Sequence, residues 1–155
     1  MDDCGKAMSI ELTEEVRELV NGALASGTPM VVATVDAEGR PRLTFRGSIA
    51  VFGPDQLGFW ARHAEGSTMD NLAANPNVAL IFRNPATRAM LSFAGRARLA
   101  SGAERDRVYA NAPEIEQKAD ADKKGAGVVI DLDRAEGLLG FDADGKPRFF
   151  RMTRD

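Results

Sequence analysis

The sequence predicts a mainly β fold with α: a small closed barrel of antiparallel strands, with two or three helices laid across its ends. Three observations carry this. From Met30 onward apolar residues alternate over short runs, the mark of half-buried strands. Turn-forming clusters separate those runs at close intervals: DAEGR at 36–40, GPDQ at 53–56, RNPAT at 83–87 and DADGK at 142–146. Helical spacing is confined to three short segments, too few to cover both faces of an open sheet. A chain of 155 residues has room for one such domain with a core. No repeat, low-complexity tract or linker divides it, so residues 1–155 are expected to form a single unit, with 1–8 a flexible tail.

In order, Thr13 to Ala25 predicts the first helix. Thr13 is a good N-cap, Glu14 and Glu15 suit the positive end of the dipole, and Leu12, Val16, Leu19, Val20 and Leu24 share one face. Gly27 and Pro29 end it. MVVATV from Met30 is a strand, and PRLTFRGSIAVF is its partner. Alternation along that partner sets Leu43, Phe45, Ile49 and Val51 on one side and Arg42, Thr44, Arg46 and Ser48 on the other. Gly47 inside the strand marks a bulge or the close approach of a ligand. LGFWAR follows as the next strand. EGSTMDNLAANP is a short helix, with Ser67 and Asp70 resembling a capping box and Asn75-Pro76 as its stop. NVALIF and RAMLSFAGRARLA are two further strands, the second with Leu91, Phe93, Ala97 and Leu99 on one face and Arg96 and Arg98 on the other. Glu104 to Asn111 is a helix, PEIEQKADADKKGAG a charged stretch with a mobile tip at 121–125, GVVIDLD a strand, DRAEGLLGF another strand or its extension, and PRFFRM the last strand.

Composition limits the function. With 44% hydrophobic and 28% charged residues the chain is globular, and a net charge of -3 excludes general nucleic-acid binding, so its cations act locally. The single cysteine, Cys4, permits no intrachain disulfide. No apolar run approaches the roughly 18 residues that span a bilayer, and the N-terminus lacks an apolar leader core. A soluble cytoplasmic protein, with no membrane partner, is expected.

Chemistry concentrates between Pro41 and Phe82. Arg46 and Ser48 lie on one strand face, Arg62 ends the next strand, and Ser67 and Thr68 open the helix after it. Two guanidiniums, two hydroxyls and the free amides of a helix N-terminus make an anion site suited to a phosphate. Each part alone has a plainer reading: a solvated strand face, or a helix cap. Trp60 either flanks a planar ligand or sits in the core. His63, the only histidine, has neither a second metal-type ligand nor a nucleophile spaced with it, so no metal site is predicted.

From Met30 to Ala100 the chain resembles the pyridoxamine 5'-phosphate oxidase-like family, the FMN-binding split β-barrels. The resemblance rests on VVATVDAEGRPRLTFRGS, on STMDNLAANPNVALIF and on the strand ending FAGRARL; Asn71-Leu72 followed by Asn75-Pro76-Asn77-Val78 is its most characteristic piece. It implies that Arg46 meets the FMN phosphate, that Gly47, Ser48 and Ile49 run beside the flavin ring, and that Ala61 and Arg62 contact the cofactor. Ser67 and Thr68 stand where the oxidase proper has an Arg-Lys pair, which removes charge from the phosphate position. The ending RFFRMTRD departs from the Arg-Leu-X-Pro signature that positions pyridoxal, so a different small-molecule substrate is implied.

The resemblance further implies a homodimer with the cofactor at the subunit interface, Arg83, Met90 and Trp60 being candidates to face the partner. The leading function is an FMN-dependent oxidoreductase working by hydride transfer through the flavin N5, which needs no acid–base dyad in the chain. The alternatives are a reductase of the same fold that uses the deazaflavin F420, a non-catalytic binder of FMN, pyridoxal phosphate or haem, or a structural member of the family with no cofactor.

Overall fold

The computed structural model describes residues 9–154, so the expectations about the 1–8 tail and Cys4 lie outside them. Eight antiparallel strands form one sheet: β1 (Met30–Val35), β2 (Pro41–Arg46), β3 (Ala50–Gly53), β4 (Gln56–Ala61), β5 (Asn77–Asn84), β6 (Ala89–Leu99), β7 (Ala126–Phe141) and β8 (Pro147–Thr153). Four helices accompany them: α1 (Glu14–Asn21), α2 (Ser67–Ala74), α3 (Gly102–Asn111) and α4 (Glu114–Ala119). The helix not predicted is α4. It buries no residue, so no apolar period betrays it, although Glu114 and Glu116 in its first turn and Lys118 in its last follow the dipole.

The strand order is β2-β1-β5-β6-β7-β4-β3, with β8 beside β7. β7 is one long strand rather than two: its first part pairs with β4, its second with β8, and β6 runs along both. The register of β6 on β7 shifts at Ala94/Gly95. A Cβ on Gly95 would lie 2.4 Å from the Asp131 carbonyl oxygen, so this close passage requires glycine.

β2 and β3 are consecutive in the chain yet stand at opposite ends of the strand order. Residues 47–49 span the seam between them and bring the two ends of the sheet round one core. This corrects the reading of PRLTFRGSIAVF as a single strand. A turn at Gly47 and Ser48 breaks it, and the apolar faces do not continue across the break. Ile49 and Val51 are buried as expected, but Leu43 and Phe45 are 72% and 74% exposed. The inward row of β2 is Thr44 and Arg46, paired with Val32 and Met30 of β1.

The core holds Val16 and Val20 from α1 together with Met30, Val32, Leu57, Phe59, Phe82, Leu91, Phe93, Ile130 and Leu132. α1 is shorter than predicted, ending at Asn21, and Thr13 caps it by accepting from the Val16 amide at 3.3 Å. Asn21 Oδ1 accepts from the Val51 amide at 2.8 Å, which ties α1 to the β3 side of the seam. Leu99, assigned inward by alternation, is 62% exposed where β6 ends.

Candidate functional site

A cleft of about 420 Å³ opens at the seam. Of the predicted site residues, Arg46, Gly47, Ser48, Ala61, Arg62, Ser67 and Thr68 line it, and His63 lies at its margin. Ile49 does not line it; its side chain belongs to the core.

Arg46 is the best-positioned cation. β2 turns it inward, where its guanidinium lies 5.3 Å from the centroid of the buried Phe59 ring, and its Nη2 donates to Thr68 Oγ1 at 2.7 Å. Its Nε is buried with no acceptor. Burial pulls its pKa below the usual arginine value while the nearby Glu116 carboxylate opposes that shift; an arginine so placed stays charged. A half-buried cation on the lining of the cleft is in position to take an anion.

α2 contributes its N-terminus. The capping-box reading is corrected: Gly66, at φ 127°, is the N-cap, no side chain caps the helix, and Ser67 and Thr68 are its first two residues. The first intrahelical bond runs from the Asp70 amide to Gly66 O at 3.0 Å, so the amides of the preceding turn lack intrahelical partners. Asn71 seats the helix. It is buried, and its Nδ2 donates to Thr34 Oγ1 of β1 at 3.0 Å, while Leu72 packs into the core. The Asn71-Leu72 pair therefore fixes where the helix end points.

Ser48 lines the cleft, but its hydroxyl is turned to β4. Its Oγ donates to the Trp60 carbonyl at 2.8 Å and accepts from the Trp60 amide at 3.0 Å, joining the seam to β4. Its hydroxyl is spent on the fold, which leaves Ser67 and Thr68 as the hydroxyls available to a ligand. Trp60 is 2% exposed, stands edge-on to Tyr109 with ring centroids 5.0 Å apart, and donates from Nε1 to Asp120 Oδ2 at 2.8 Å. It lines the cleft from below, with its indole edge turned to Asp120 rather than to the open side.

The region expected to be a mobile tip is held by hydrogen bonds. Asp120 also accepts from the amides of Lys124 and Gly125, and Arg105 donates to the Lys123 and Gly125 carbonyls. This holds α4 over the cleft and brings in the residue that sequence reasoning missed, Glu116. Its carboxylate accepts from Arg62 Nη2 at 3.0 and 3.1 Å. With Arg46 and Arg62 set against Glu65 and Glu116, the formal charges lining the cleft balance. No sequence signal marked Glu116, since it is one acid among many in a charged segment.

Among the described residues no group of three or more His, Cys, Asp or Glu could hold a metal ion, and no helix is long and apolar enough to cross a membrane.

Residues 12–138 match the family model described as pyridoxamine 5'-phosphate oxidase. No curated protein matches the chain. Among solved structures, the HupZ protein of Group A Streptococcus is 23% identical, with 88% of this chain and 98% of that one covered and a TM-score of 0.65. A heme binding protein from Mycobacterium smegmatis is 18% identical, covering 92% of this chain and 59% of that one, with a TM-score of 0.65. A pyridoxamine 5'-phosphate oxidase-related, FMN binding protein from Nostoc punctiforme is 14% identical, covering 87% and 92%, with a TM-score of 0.62. At these identities the likeness to the solved structures is one of fold.

Proposed function

The chain belongs to the pyridoxamine 5'-phosphate oxidase family, and on that premise we propose that the seam cleft binds FMN for the oxidation or reduction of a small molecule. The observation that carries the proposal is Arg46: a half-buried guanidinium on the lining of the cleft, held by Thr68 and Phe59 beside the open N-terminus of α2. Arg46, Thr68, Ser67 and the first-turn amides would hold the phosphate, with Arg62 adding a second cation. Gly47, Ala61 and the seam backbone would flank the ring system.

FMN, when bound, supplies hydride chemistry at its N5. The chain's own residues bind and orient. Phe59 and Ala61 are buried and limit water on the core side of the cleft, while His63 and Ser67 at the open side are exposed. With Ser67 and Thr68 in place of two cations, phosphate affinity depends chiefly on Arg46.

The functional unit in this proposal is a homodimer. Phe45 and Ile81 both pair with Val31 across β2-β1-β5, and Leu43 pairs with Ala33, which puts an apolar row on the outer face of the sheet. Such a row is suited to covering by a second copy. Phe45 also lines the cleft, so a partner seated there would border the cofactor.

A second reading, binding of FMN, pyridoxal phosphate or haem without turnover, draws on the description of the Mycobacterium smegmatis relative as heme binding and on the balanced charge of the cleft. Adding FMN and following its spectrum, then its reduction by NADH or NADPH with several acceptors, separates the two. Flavin binding with accelerated turnover supports the oxidoreductase, and binding without any acceleration supports storage or sensing. Binding of F420 in place of FMN would move the activity to deazaflavin chemistry.

A further inference from the structure

Glu116 reaches from α4 into the cleft and occupies Arg62. Both Arg62 Nη2 contacts, at 3.0 and 3.1 Å, and a third from Nε to Oε2 at 3.3 Å, form the forked arrangement that a guanidinium also makes with phosphate oxygens. The carboxylate is seated firmly: the Glu116 side chain is 13% exposed against 50% for Arg62. A Cβ on Gly47 would lie 2.9 Å from Glu116 Oε1 and 3.2 Å from Leu24 Cδ1, so the absence of a side chain at the seam leaves room for the carboxylate.

The backbone of α4 is held by bonds that do not involve Glu116. Tyr109 Oη donates to the Gln117 and Asp120 carbonyls at 2.8 and 3.2 Å, and Gln117 Nε2 donates to the Ala112 and Ala110 carbonyls at 2.8 and 3.1 Å. The Glu116 side chain can therefore leave Arg62 by rotating its own bonds, with the helix staying in place.

We propose that Glu116 and a ligand's phosphoryl group compete for Arg62, so that Glu116 sets how tightly the cleft takes phosphorylated ligands. The choice of FMN as ligand rests on the flavin reading; the competition applies to any phosphomonoester or pyrophosphate. Among the described residues Arg46 makes no ion pair, whereas a phosphoryl group that uses Arg62 must first displace a carboxylate from it. Partly exposed ion pairs are weak, so removing the charge of Glu116 is expected to tighten phosphoryl binding by roughly two- to five-fold.

The test uses Glu116→Gln, which keeps the size of the side chain and an acceptor for Arg62, with Glu116→Ala beside it. FMN, riboflavin and inorganic pyrophosphate are titrated into the native chain and both variants at fixed ionic strength, and melting temperatures confirm folding. The expected result is tighter binding of FMN and pyrophosphate by the variants, with riboflavin unchanged. Equal tightening of riboflavin, or no tightening of either phosphoryl probe, overturns the competition. If FMN binds the native chain and Glu116→Gln equally well, the competition falls and the flavin reading stands. If pyrophosphate tightens while FMN binds to none of the proteins, the flavin reading falls and the competition stands. Failure of both probes to bind any of the proteins overturns both.

Discussion

Arg46→Ala removes the cation on which the proposed phosphate site depends, and its consequences for stability and binding separate cleanly. In the folded protein the substitution loses the 2.7 Å bond to Thr68 and the cation–π contact with Phe59. Together these contribute about 2 kcal/mol. It also relieves a half-buried charge with an unsatisfied Nε, a gain of about 1 to 3 kcal/mol. The two offset, so unfolding free energy is expected to change by less than about 1 kcal/mol. Binding has no such offset. Loss of a charged donor to phosphate costs about 1 to 3 kcal/mol, which raises the FMN Kd by roughly 5- to 150-fold. Quenching of flavin fluorescence on titration measures this, with riboflavin as the control that lacks a phosphate. Arg46→Lys is expected to recover part of the loss, since it restores charge without the fork. An FMN affinity within two-fold of native in a well-folded Arg46→Ala would refute the placement of the phosphate.

Asp120→Ala is expected to destabilise the protein by about 2 kcal/mol through loss of its bonds to Trp60 Nε1 and the Lys124 and Gly125 amides, read as a lower denaturant midpoint and altered Trp60 fluorescence. The Asp120 carboxyl is held below the usual aspartate range chiefly by the Trp60 indole, against burial and with help from the two amides. Because the folded value is depressed, this contribution is complete above the unfolded value near pH 4 and is lost as pH falls through the folded one. Trp60 fluorescence should accordingly change below about pH 4, and a transition centred above pH 5 would sink the assignment. Leu43→Glu with Phe45→Glu is expected to convert a dimer to a monomer in light scattering while leaving the melting temperature of the protomer nearly intact; a native chain that is already monomeric contradicts the interface. Gly125→Ala places a Cβ 2.0 Å from the Ala61 carbonyl oxygen, so a loss of more than about 2 kcal/mol is expected in chemical denaturation; a neutral effect would show that the cleft wall yields easily.

Much of the fold was legible because strands and turns write themselves in short-range pattern. DAEGR became the β1–β2 turn, with Asp36 Oδ1 accepting from the Glu38 and Arg40 amides, and DADGK became the β7–β8 turn in the same way. What failed was long-range. Alternation across PRLTFRGSIAVF treats Gly47 and Ser48 as strand, and nothing local reveals that the chain crosses a seam there. Hence Leu43 and Phe45 read as core when they face outward, and the strap from the Ser48 hydroxyl to Trp60 went unseen. The cleft itself was half legible. Arg46, Thr68 and Arg62 lie within a short stretch of chain and their types announce an anion site. Glu116 is 54 residues from Arg62, on a helix with no buried face, and long-range tethers, from Asp120 to Trp60 and from Tyr109 to the α4 carbonyls, bring it there.

The most direct measurement is a crystal structure of the protein soaked or co-crystallised with FMN. The phosphate is expected within hydrogen-bonding distance of the Arg46 guanidinium and the first-turn amides of α2, with Thr68 beside it. A flavin whose phosphate lies elsewhere, leaving Arg46 bonded only to Thr68, would contradict the account.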